Sequence, residues 1–209
     1  MRASNTVQLR YATGLSSEEY VKQKAWLSAS RPRCPFHPAG GCGLARHTPY
    51  ARVEPPGAFI ARFYCRKAHG TVSLLPDCLA SRLSSTLAEV EHVANCAAGA
   101  ESREAAAQML RPDIGTQGAL RWIRRRVAGV AVALLAVMGL RPDVFAGRQP
   151  TLEDFRDALG VEAVLPRLRE VAGAQLRALP PPVGFGPRPA SKKTRPPRTQ
   201  QGTGADPPR

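Results

Sequence analysis

Residues 34–73 contain too few large apolar side chains to hold a core, yet they gather most of the chain's metal-binding chemistry. Cys34-x2-His37 is followed by Cys65-x3-His69, two close ligand pairs separated by a loop. Zinc takes four soft or borderline ligands in a tetrahedron, and each such pair can come from one tight turn. Gly40, Gly41 and Gly70 supply backbone freedom beside those turns. A metal would then provide the folding energy that the segment cannot provide by burial. The favoured ligand set is Cys34, His37, Cys65 and His69, because the second pair is local. Cys42 is the alternative to His69, giving Cys34, His37, Cys42 and Cys65, and His47 is a third choice. Either set is closed, so one structural Zn2+ is expected, with no open position for catalysis. Cys78 and Cys96 fall in helical pattern and read as small buried hydrophobes.

The chain around this segment divides into unlike parts. Residues 1–33 read as a short strand, Val7, Leu9 and Tyr11 alternating, and a helix over 17–28 opened by a Ser16/Glu19 capping box. Residues 34–74 read as a small β domain of zinc-ribbon type, with strands near 48–54 and 58–64 around the turn at Pro55-Pro56-Gly57. Residues 75–180 read as a helical domain. Leu79, Leu83, Leu87 and Val90 recur at helical spacing and predict a helix over 76–96. Glu101–Leu110 predicts another. Leu120, Ile123, Val127, Val130, Leu134, Val137 and Leu140 form a stripe along a long helix from 117 to 140, which must face a core or a partner helix. Thr151 caps a short helix LEDFRDAL, and Val161–Leu179 predicts a last one. Residues 181–209 are Pro-rich, basic and without periodicity, and read as a disordered tail. The expected architecture is mostly α, with a small N-terminal β zinc ribbon, a helical-bundle body and a disordered C-terminal tail.

Charge bears on partners. The 209 residues carry 30 Lys and Arg against 16 Asp and Glu, a formal net charge of +14. Such a balance favours polyanionic partners, nucleic acid first and anionic membrane second, with DNA the leading candidate and RNA a minor variant. The longest apolar run, Val127–Leu140, is short of a bilayer span and follows three arginines, so no membrane segment is expected. No secretory signal pattern precedes the cysteines, which points to reduced thiols and a cytoplasmic location, at the nucleoid if the partner is DNA. No nucleophile–base pair, phosphate loop or open metal site stands out, so an enzyme is not expected.

The run CPFHPAGGCGLARHTPYARVEPPGAFIARFYCRKAHGTVSLLP resembles the zinc-ribbon segments at the head of insertion-sequence transposases and transposase-like bacterial proteins of unknown function. Cys34-Pro35 and His37 match the first knuckle. His47, Tyr50 and Arg52 match the middle, with Thr48 where Gly is usual. Arg62, Tyr64, Cys65 and His69 match the second knuckle, and Thr71, Ser73, Leu74, Leu75 and Pro76 the exit, with Val72 in place of Phe. In that family a helix-turn-helix follows, and Glu101–Leu110, a turn at Arg111–Gly115 and Thr116–Arg126 look similar. The resemblance implies zinc-dependent DNA binding, transposase-like or regulatory, without the spaced carboxylates of a catalytic core. Under that reading Arg52, Arg62, Arg66 and Lys67 contact phosphates around the ribbon, and Arg121, Arg124 and Arg125 lie near the groove. The competing reading is a zinc-stapled, non-enzymatic interaction module that forms a homodimer through helix 117–140.

Overall fold

Apolar residues alternate with polar ones along three of the four strands, which lets one sheet serve two environments. The computed structural model describes residues 6–186. Strands β1 (Thr6–Tyr11), β2 (Ala45–Ala51), β3 (Phe59–Cys65) and β4 (Gly70–Pro76) form one open sheet in the order β1-β4-β3-β2. β2–β3 and β3–β4 are antiparallel neighbours, whereas β1 runs parallel to β4, Gln8 opposite Ser73. Leu9, Tyr11, Ala61, Phe63, Cys65, Val72 and Leu74 pack with Tyr20 and Trp26 on one side of this sheet. Gln8, Arg62 and Ser73, one residue out of phase, share the other side in register.

Helix α1 (Ser17–Lys22) starts as its capping box dictates: the Ser16 hydroxyl accepts from the Glu19 N–H and the Glu19 carboxylate accepts from the Ser16 N–H. It stops well short of residue 28. Lys24 turns left-handed at φ 48, and the chain then folds Ala25, Trp26 and Ala29 into the core. The Tyr20 hydroxyl donates to the Phe59 carbonyl at 2.8 Å, pinning α1 to the sheet.

The helical part is α2 (Leu87–Gly99), α3 (Arg103–Leu110), α4 (Thr116–Leu140), α5 (Pro142–Phe145), α6 (Leu152–Leu159) and α7 (Val164–Val171). The helix expected over 76–96 begins only at Leu87. TVSLLP, ahead of it, is β4, and Leu79 and Leu83 belong to an irregular connector. Leu79 bridges Thr86, Arg82 is left-handed at φ 55, and Thr86 caps the helix by accepting from the Glu89 N–H. Helical spacing was therefore coincidental in the connector, where local caps and sheet pairing decide the path.

The long helix runs 25 residues without interruption. Its stripe faces inward: Ile123, Val130, Leu134 and Val137 are buried against α2, α3 and the C-terminal elements. Arg126 is buried too, lying 3.7 Å over the Trp122 ring and donating to the Ser85 hydroxyl. Burial pushes its pKa down to about 10. No helix among the described residues is long and apolar enough to cross a membrane.

Two buried charges lock the body together. The Glu91 carboxylate on α2 accepts from the Val164 and Leu165 N–H groups at 3.0 and 2.9 Å, capping α7, whose own N-cap residue makes no side-chain bond. Arg169 on α7, fully buried, donates to the carbonyls of Pro76, Asp77, Leu79, Pro182 and Val183. This hub corrects the boundary of the expected tail. Residues 181–186 are packed rather than loose, and Val183 is fully buried in the main core. Residues 187–209 lie outside the described residues, as do the tail basics.

Candidate metal centre

The site sits at the edge of the sheet's apolar side. Cys65 ends β3 and is fully buried. Cys34 and His37 come from a tight turn in which the His37 N–H donates to the Cys34 carbonyl, and the next turn follows at once with the Gly40 N–H donating to the His37 carbonyl. Gly40, Gly41 and Gly43 all take positive φ, between 65 and 86, which curls Cys42 back toward Cys34. Cys34, His37, Cys42 and Cys65 bring one ligand atom each into a group whose members all lie within 4.8 Å of one another.

The geometry suits zinc. With Zn–S near 2.3 Å and Zn–N near 2.1 Å, a tetrahedron places S and N about 3.6 Å apart. The Cys34 and Cys65 sulfurs lie 3.8 and 3.4 Å from His37 Nδ1. The three thiols are buried, and Phe36, Leu44 and Trp26 pack in the same cluster. Burial works to raise the Cys34 pKa, but hydrogen bonds from His37, the Phe36 backbone and Cys42 outweigh it and bring the thiol down to about 7. Burial and its neighbour Cys34 push Cys42 the other way. One thiol is thus primed for the thiolate form that metal binding needs. Four side chains of this kind could hold a metal ion in a closed shell, with no open position for substrate.

His69, the favoured fourth ligand from spacing, is not in this group; Cys42 takes its place. The reason is the strand's period of two. Cys65 faces the metal side, so Tyr64 faces the other, and the Tyr64 hydroxyl lies 3.3 Å from His69 Nδ1. The Arg66–His69 turn, with His69 left-handed at φ 46, carries the imidazole over to Tyr64. His47, also on the β2–β3 ladder, faces the Tyr64 ring at 6.0 Å and is likewise outside the group. The glycine pair flanking Cys42 was the signal for its inclusion.

The expected nucleic-acid contacts separate into two kinds. Arg52 is turned inward, its guanidinium donating to the carbonyls of Ala80, Leu83 and Ser85 in the connector, and burial lowers its pKa. Arg62 lies half-buried on the polar side of the sheet, 5.8 Å from the Tyr50 ring. Arg66 and Lys67 are exposed at the β3–β4 turn, and Arg121, Arg124 and Arg125 are exposed along α4. α3 and α4 do flank a turn, but α4 continues far past the length of a reader helix. Burial lifts the half-buried Cys78 thiol to about 11, and neither it nor Cys96 joins the cluster. Comparison of the chain with protein families, with curated proteins and with solved structures returned no match.

Proposed function

We propose that this protein is a zinc-stapled, non-enzymatic interaction module that self-associates through the outer face of α4. The closed, buried Cys34–His37–Cys42–Cys65 cluster carries the reading. One zinc there joins the 34–42 turns to β3, and so ties a segment with few large apolar side chains to the sheet.

The contact face is not the stripe first expected, because that stripe is spent on the protein's own core. Solvent meets a second one, Ala128, Ala131, Leu135 and Gly139, spaced three or four apart, with Val132 and Leu140 beside it. Leu135 is 56% exposed. Arg121, Arg124 and Arg125 continue the same face toward the N-terminus. An antiparallel second copy crossing near Ala131 sets these arginines against the C-terminal carbonyls of its partner's α4, where positive charge is favoured. The small alanines allow close approach.

Two measurements test this. Native mass spectrometry of the full chain gives one zinc per chain; Cys42→Ser loses it and His69→Ala keeps it. Loss of zinc from His69→Ala alone would overturn the ligand set. Sedimentation gives a dimer that Leu135→Glu converts to a zinc-loaded monomer; a wild-type monomer at about 50 µM would refute self-association, since specific dimers commonly bind more tightly than that.

A second reading, zinc-dependent DNA binding, is supported by the three exposed arginines on one face of α4 and by the net charge of +14. It predicts duplex binding that weakens log-linearly with salt and falls when Arg121, Arg124 and Arg125 are replaced together.

A further inference from the structure

The polar side of the sheet carries a cleft that neither the zinc centre nor α4 uses. Its volume is about 800 Å3. Arg62 from β3, Arg82 from the connector and Arg177 after α7 line it, together with Thr71 and Ser73 of β4 and the rings of Tyr50 and Phe185. No acidic side chain is among the described residues that line it. Arg62 is central to the argument. It stands in register between Ser73 and His47 on the sheet face, and its Nε is buried with no hydrogen-bond acceptor among the described residues. A buried donor left unmade is costly; Arg52 and Arg126 have a buried Nε of the same kind away from the cleft, so what sets Arg62 apart is that it shares a cleft with two further arginines.

We infer that this cleft binds a nucleoside phosphate. A cleft lined by arginines and by no carboxylate among the described residues selects an anion, and the planar fork of arginine suits phosphate oxygens. Inorganic phosphate alone would leave most of the volume empty, since cavities of this size hold ligands of tens of atoms. Each ring already carries a guanidinium over one face, Arg62 over Tyr50 and Arg169 over Phe185, so a base would stack on the opposite face, and the Thr71 and Ser73 hydroxyls can bond to sugar or phosphate oxygens. The nucleotide can be free or can be a unit of a single strand; both present the same chemistry to the cleft. Arg62 and Cys65 lie on opposite sides of the sheet, but Pro35, inside the Cys34–His37 turn, also lines the cleft, so the variants are compared at equal zinc content.

The test uses the full chain, zinc-loaded, in calorimetric and fluorescence titrations at low salt. The probes are adenosine 5′-monophosphate, a labelled hexamer of single-stranded RNA, adenosine, and polyglutamate. The variants are Arg62→Gln, Arg177→Gln and, as a control at an exposed position away from the cleft, Arg148→Gln. Zinc content and thermal unfolding confirm that each is folded. Arg62→Gln and Arg177→Gln each weaken binding by at least about tenfold, the scale of one charge-assisted hydrogen bond. Arg148→Gln stays within about twofold, and adenosine binds far more weakly than its phosphate. Displacement of the hexamer by the monophosphate identifies free nucleotide as a sufficient ligand. Binding of the hexamer alone, with the same sensitivity to Arg62, identifies a strand. The inference is overturned if no nucleotide probe binds, if both cleft variants bind as the wild type does, if Arg148→Gln weakens binding equally, or if polyglutamate binds in preference. None of these results depends on the oligomeric state.

Discussion

Replacing Arg169 by Met should be among the most damaging single changes to the body of this protein. The side chain has no exposed surface, and its hydrogen bonds among the described residues go to five backbone carbonyls rather than to a carboxylate. Nη1 reaches the carbonyls of Pro76, Asp77 and Leu79 at 3.1, 3.2 and 2.6 Å, Nε that of Val183 at 3.0 Å and Nη2 that of Pro182 at 2.9 Å. Desolvation pushes its pKa down to about 10, so the cost of burial is real and these bonds must offset it. Methionine fills much of the volume and removes that cost, but it leaves the carbonyls without donors. Each unsatisfied buried group costs about 1–3 kcal/mol, and such costs overlap rather than add. The expected loss is about 3–5 kcal/mol, or a fall in Tm of about 6–20 °C for a chain of this size. Arg169→Lys keeps three donors but not the fork, and should lose about half as much. Urea unfolding followed by circular dichroism measures both. A loss under about 1 kcal/mol for Arg169→Met would refute the idea that these bonds hold residues 180–186 in place. The same residues form part of the cleft wall, so the variant should also impair nucleotide binding.

Three other perturbations probe separate joints. Glu91→Ala removes the cap of α7 and leaves two buried N–H groups without their acceptor; it should cost about 2–4 kcal/mol, read by denaturant unfolding. Gly184→Ala places a methyl group into the Leu179 carbonyl and side chain, both fixed in the core, and should lower Tm by several degrees even though glycine-to-alanine changes often stabilise. Glu19 has a lowered pKa, first through the Ser16 backbone bond and then its side chain. Its contribution to α1 is therefore complete above the unfolded value of about 4.5 and fades as pH falls through the lower folded value, which a carboxyl NMR titration of wild type against Ser16→Ala would show as an upward shift.

Much of the local structure was legible from the sequence because its causes are local. The Ser16/Glu19 capping box placed the start of α1, the Thr151 cap placed α6, and the stripe from Leu120 to Leu140 placed α4 almost to the residue. The metal chemistry was legible in the same way, since Cys34-x2-His37 needs only one turn to bring its atoms together. What failed required knowing which side of a strand a side chain takes. Cys65-x3-His69 has ligand spacing, but β3 alternation and a left-handed turn at residue 69 send the imidazole to Tyr64, while three left-handed glycines return Cys42 to the cluster.

Composition and periodicity determined that this chain would be helical over most of its second half, strongly basic, and equipped with candidate metal ligands near residue 34; the tertiary structure decided what those features face. Residues 181–186 look like tail by composition, yet Arg169 gathers their carbonyls into the core. Arg52 and Arg126 read as surface charge, yet each is turned inward onto the connector. The apolar stripe of α4 had to face either a core or a partner helix, and α2, α3 and the C-terminal elements cover it. A side chain's type and spacing are properties of the sequence, but its partner depends on residues up to about a hundred positions away, and only packing brings those into contact.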